Sequence, residues 1–198
     1  MPLVKEREYR KLAQMISISN NKRIDSNYYV EGYAATYEPY ILYEDDEGPV
    51  YERFERDCFA GCDMSDVIMQ YDHTGSVMAR QRNKTLIVEA DEHGLFICAD
   101  LSKSEAARNL YEEISNRLVD RMSWAFIPGE FFYDKDTRTL VHKKVKKIFD
   151  VSAVSIPAND GTNINARSLI DGEIEKVKQE LLERKKKEVL LKMKLGGF

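Results

Sequence analysis

The feature that most constrains the fold is one firmly helical segment set among strand-like runs. In "SKSEAARNLYEEISNRLVDR" (102–121), Ala107, Leu110, Ile114 and Leu118 recur at helical spacing. Ser102 and Glu105 have the spacing of a capping box at its start. Upstream, "YYVEGYAATY" (28–37) is rich in aromatic and β-branched residues and reads as a strand. "EDDEG" (44–48) reads as a loop, and "YERFERDCFAG" (51–61) as a short helical turn ending at Gly61. "DVIMQYDH" (66–73) is a strand running out into a loop. "KTLIVEADEHGLFICADLS" (84–102) is a hairpin about "DEHG". Downstream, "MSWAFIPGEFFYD" and "RTLVHKKVKKIFDVSAVSIPA" supply two or three more strands around "DKDT" (134–137). A strand-rich body with one inserted helix predicts an α+β fold. Its mainly antiparallel sheet is expected to be bent or barrel-like.

After "NDGTN" (159–163) the pattern changes. Residues 168–195 read as a long, charge-rich helix whose stripe of Ile170, Ile174, Val177 and Leu181 lapses at "ERKKKE" (183–188). The basic cluster there reads as a solvated helix face, because acidic residues flank it. The expected organisation is an N-terminal segment (1–27), a main domain (28–168) and a C-terminal helical appendage (169–198) for a dimer or a partner.

Composition removes several function classes. The net charge is only -4, with both signs mixed, which leaves no footprint for nucleic acid and no strong pull toward anionic membranes. No apolar run of about 18 residues is present to span a bilayer. The first 15 residues lack the apolar core of a signal peptide, so a reducing cytoplasm is the expected compartment. Cys58, Cys62 and Cys98 include no CxxC pair and read as small buried residues, not a zinc site. No HExxH, P-loop or GxGxxG motif occurs.

Three histidines make elimination useful. His93 lies in the hairpin turn and is expected to be exposed. His142 lies among lysines. His73 ends an apolar run just before a loop, where a scaffold commonly presents a catalytic group. A serine nucleophile needs a base, a group to orient that base, and donors for the oxyanion. Ser123, in "MSWAF" (122–126), has an apolar setting: a strand would bury Met122, Trp124 and Phe126 on one face and leave Ser123 on the other. Strand filler and nucleophile are both open readings at this point. Ser102, Ser104 and Ser168 are explained by capping. Ser152 and Ser155 fit the polar positions of a half-buried strand. Asp72 adjoins His73, but successive side chains diverge on an extended chain. Asp150 opens an otherwise apolar strand, where a carboxylate is costly unless partnered. A salt bridge to one of the lysines at 143–147 is its plainer explanation.

Taken in order, "VEGYAATY", "FERDCF" (54–59), "VIMQYDH", "GLFICADL" with the helix after it, "RMSWAF" and "IFDVSAVSIPAND" resemble the prohead maturation proteases of tailed bacteriophages. These are serine proteases related in fold to the herpesvirus assemblins. The resemblance covers roughly residues 28–168 and is most specific in the last two segments. It implies Ser123 as nucleophile, His73 as general base and Asp150 as the acidic third member, where relatives often have Glu. The assemblins use a second histidine in that third role, and His142 is the only histidine in that region. The resemblance also implies backbone oxyanion donors around Ala158 and Asn159, and a substrate pocket near Trp124 and Phe126. This chain departs from the family in having Trp124 and Ala125 between Ser and Phe, and Thr74 directly after the histidine.

The implied function is serine endopeptidase activity inside an assembling procapsid, in the cytoplasm of a bacterial host. The substrates would be scaffold or major capsid protein and the protease itself. No cofactor or metal is implied; a homo-oligomer is, with neither nucleic acid nor membrane as partner. Two other classes stay open: a non-catalytic assembly or scaffold-binding module on the same fold, and an unrelated β-rich binding module.

Overall fold

The computed structural model describes residues 8–19 and 22–155, and in the C-terminal part residues 172, 175, 179, 180, 182–187 and 190. Its elements in chain order are β1 (Glu8–Met15), β2 (Tyr29–Thr36), β3 (Tyr40–Asp45), β4 (Gly48–Phe54), β5 (Ile68–Tyr71), β6 (Thr74–Arg80), β7 (Leu86–Ala90) and β8 (Gly94–Asp100). Then come α1 (Glu105–Ser115), β9 (Arg121–Pro128), β10 (Phe131–Asp134), β11 (Thr139–His142) and β12 (Val145–Val154). They form a five-stranded sheet in the order β1-β9-β12-β5-β6, a four-stranded sheet β10-β11-β4-β3 and a three-stranded sheet β2-β8-β7. Most pairs are antiparallel. β12 with β5 and β11 with β4 are parallel, which makes the two larger sheets mixed.

The α+β class is as expected, but the sheets do not close into a barrel. The five-stranded sheet ends in β1 and β6 as edges. One core lies between sheets: Met69, Met122, Trp124, Phe126, Val151 and Ala153 of the five-stranded sheet pack with Val30, Leu95 and Ile97 of the three-stranded one. Helix α1 adds Ala107, Leu110 and Ile114. Burying apolar area of this extent at roughly 25 cal/mol per Å² is the main force holding the layers together. Among the described residues no helix is long and apolar enough to cross a membrane.

Several local expectations change. Ser104, not Ser102, caps α1: its side chain accepts from Ala107 N at 3.1 Å. Ser102 is instead held by Asp100, whose Oδ1 accepts the Ser102 N–H at 3.0 Å. Arg117 has φ 57, outside the helical range, so Leu118 falls beyond the helix and is 72% exposed. Residues 51–54 are not helical but complete β4, where Val50, Glu52 and Phe54 are all buried at strand period. Of "EDDEG", Asp46 and Glu47 form the tight turn, while Glu44 and Asp45 end β3 and Gly48 opens β4. The long C-terminal helix expected over 168–195 lies largely outside the described residues; within them, residues 182–187 are helical.

Candidate active site

β9 lies inside its sheet, between β1 and β12, and the whole "MSWAF" stretch is buried, not one face of it. Its alternation still separates two environments. Trp124 and Phe126 point into the core, stacked with ring centroids 4.1 Å apart. Ser123 points the other way. In register, Ser123 faces Ser152 of β12 and Ala125 faces Asp150. Asp150 and Ser152 are two apart on one strand, so they share the face of Ser123.

His73 reaches that face from a turn. Tyr71 pairs with Thr74, leaving Asp72 and His73 as the two central residues of the β5–β6 hairpin. Both are left-handed, with φ 48 and 58, as a type I′ turn requires. Asp72 fastens the turn to the end of β12. Its N–H donates to the Ala153 carbonyl at 2.9 Å. Its carboxylate accepts the Ser155 N–H at 3.0 Å and the Ser155 hydroxyl at 2.6 Å.

The imidazole of His73 then lies between two partners. Nδ1 is 2.5 Å from Asp150 Oδ1, and Nε2 is 2.5 Å from Ser123 Oγ. An ionised carboxylate only accepts, so Nδ1 carries the proton and Nε2 is left to accept from the serine hydroxyl. Asp150 Oδ1 also accepts the Ser152 hydroxyl at 2.8 Å. Asp150 is therefore partnered by His73 and not by one of the lysines at 143–147, of which Lys147 Nζ meets Asp63 at 2.7 Å and Lys143 Nζ meets Glu130 at 3.6 Å. The His73 side chain is 12% exposed, whereas Ser123 is fully buried. A hydroxyl, an imidazole and a carboxylate in this order can draw the serine proton away and stabilise the resulting imidazolium.

The structure brings Ser123, His73 and Asp150 together and leaves other candidates apart. Trp124 and Phe126 are fully buried core residues, packed around Phe54 at 5.2 and 5.7 Å, and offer no surface to a substrate. This corrects the pocket expectation; strand alternation turns them away from Ser123. Ala158 and Asn159 lie outside the described residues. His93 is exposed in its turn. His142 is buried in a separate cluster, where its Nε2 is 2.7 Å from Glu52 Oε1. Burial raises the Cys58 and Cys62 thiols to about 12, which suppresses thiolate chemistry at neutral pH. Two polar residues at the site escaped sequence reasoning as functional: Ser152 and Asp72. The signal for Ser152 was its i+2 spacing from Asp150.

The caudovirus prohead serine protease family matches residues 15–180, most of the chain. No curated protein and no solved structure matches significantly. With a match of this extent, enclosing all three residues that meet on the face of β9, the chain belongs to the caudovirus prohead serine proteases.

Proposed function

We propose that this chain is a serine endopeptidase of procapsid maturation, with Ser123 as nucleophile, His73 as general base and acid, and Asp150 as the group that orients the imidazole and stabilises its charged form. The observation that carries this reading is the pair of 2.5 Å contacts on the two nitrogens of His73. His73 Nε2 takes the Ser123 proton as Oγ attacks the scissile carbonyl. The same nitrogen then protonates the leaving amine, and water repeats the cycle to free the acyl group. Asp150 holds the productive tautomer, and Ser152 holds Asp150. Only protons and an acyl group move, so the chemistry requires no cofactor. Backbone N–H groups near Ala158 and Asn159 are the proposed oxyanion donors, as the family resemblance implies. The substrates are scaffold or capsid protein and the protease itself, within a procapsid in the bacterial host. The C-terminal appendage is the proposed docking element or a piece removed by self-cleavage.

Co-expression with the capsid protein of the same phage, read by intact mass, tests this. Ser123→Ala should abolish processing, a loss on the order of 10⁴-fold or more, with the fold retained. Unchanged processing sinks the proposal. The full burial of Ser123 favours a second reading, a non-catalytic assembly module. That reading requires normal assembly with Ser123→Ala and no labelling of the native chain by serine-directed phosphonates.

A further inference from the structure

The nucleophile's strand has no free edge. β12 pairs with one side of β9, and β1 pairs antiparallel with the other, with Lys11 opposite Ser123, Arg10 opposite Trp124 and Tyr9 opposite Ala125. An extended peptide gains main-chain hydrogen bonds by adding to a sheet edge. The outer edge of β6 is three strands from β9, about 14 Å at the usual strand spacing, beyond the reach of a serine side chain. The edge that brings a peptide beside Ser123 is the one β1 fills.

β1 sits there as an edge strand, and its described side chain, Arg10, is deeply anchored. The Arg10 side chain is 1% exposed. Its Nε donates to both oxygens of Glu52, at 2.8 and 2.6 Å, and its guanidinium lies 5.5 Å from the Phe126 ring. The Tyr40 hydroxyl and His142 Nε2 complete the carboxylate's shell. A buried ion pair of this kind returns little more than its desolvation cost, so one arginine can be exchanged for another at small net change. The family match begins at residue 15, the last of β1, so the strand that fills this edge precedes the shared region.

We propose that the β9 edge is the seat for an extended segment of the protein substrate, that the Glu52–Tyr40–His142 pocket takes an arginine or lysine of that segment, and that β1 occupies the seat as an internal substitute until displaced. This rests on Ser123 being the nucleophile.

The test is a reversible lock in the full chain. Leu12 faces Met122 in register, so Leu12→Cys with Met122→Cys ties β1 to β9 under oxidant and frees it under reductant. Ser123 labelling by an alkyl fluorophosphonate should be at least about tenfold slower in the tied form, because only the released population reacts. The native chain, with Cys58, Cys62 and Cys98, serves as the oxidant control. Equal labelling rates in tied and freed forms overturn the inference. Arg10→Met provides an arm that needs no cysteines. It should speed labelling, and a synthetic peptide of residues 8–15 (EYRKLAQM) should suppress it again, while the same peptide with Met for Arg should not. Labelling unmoved by both the substitution and the peptides likewise overturns it. If native and variant chains alike resist labelling, the nucleophile assignment itself fails, a distinct result that removes this inference with it.

Discussion

His73 and His142 each meet a carboxylate through one ring nitrogen, at 2.5 Å to Asp150 and 2.7 Å to Glu52. They lie toward opposite faces of β9, and the rest of their surroundings differ. The second nitrogen of His73 faces the Ser123 hydroxyl; Nδ1 of His142 has no hydrogen-bond partner among the described residues. Asp150 is helped by the Ser152 hydroxyl, Glu52 by a full positive charge on Arg10. His73 keeps an exposed rim, whereas His142 is sealed and stacked on Phe54 at 4.6 Å. Burial works to raise the Glu52 carboxyl, but the charges of Arg10 and His142 and their hydrogen bonds prevail and hold it at about 2. A histidine–carboxylate pair is therefore not by itself a catalytic device. It becomes one where the second nitrogen meets a hydroxyl and the ring can exchange protons with solvent.

The sharpest way to break this contrast is to exchange the losses. His73→Ala should lower kcat/KM by on the order of 10⁴-fold or more with little change in melting temperature. His142→Ala should spare the chemical step: it should cost about 2–4 kcal/mol of stability and shift KM through the proposed pocket, while kcat per folded molecule stays within about threefold. A catalytic collapse in His142→Ala, with the fold intact, would reverse the two roles. Asp150→Asn should cost about 10⁴-fold in turnover, because the amide can favour the wrong imidazole tautomer. A loss under tenfold would leave Asp150 a bystander.

The structural cluster is tested by acid. The Glu52 carboxyl is depressed below its ordinary value of 4.5, so its contribution is complete above about pH 5 and drains away as pH falls from there toward 2. That pH-dependent part is on the order of 3 kcal/mol. Urea unfolding across this range should show the slope in the native chain and not in Glu52→Gln. The variant should also be about 3–5 kcal/mol less stable at neutral pH, with Arg10 left without its countercharge. The smallest expected effect is Ser152→Ala: loss of one hydrogen bond to Asp150, about 1 kcal/mol, seen as a three- to tenfold fall in kcat.

These clusters were unequally legible in the sequence. His73 stood out at a strand end, whereas Ser123 stayed open between filler and nucleophile until the family resemblance singled it out. The hairpin of β7 and β8 and the core face of α1 were readable from period alone. The Arg10–Glu52–His142 cluster was not, because its members are 42 and 90 residues apart and each looks like ordinary surface charge. Glu52 also breaks the apolar alternation of β4, which made a buried strand resemble a helical turn. "EYRKLAQM" carries no clean alternation, and its pairing with β9 could not be read from it. Ser102 and Ser104 both fit a helix start, and Asp100 decides between them by holding Ser102.

The order of strands in the five-stranded sheet has a consequence for timing during synthesis. β12 is the last of the described strands to leave the ribosome, yet it lies between β9, which bears Ser123, and β5, whose hairpin bears His73. It also supplies Asp150 and leads into Ser155, which fastens the histidine's turn. A nascent chain that stops short of β12 thus holds hydroxyl and imidazole on strands with no strand between them. The three residues of the proposed site therefore come together only after translation has passed through this sheet.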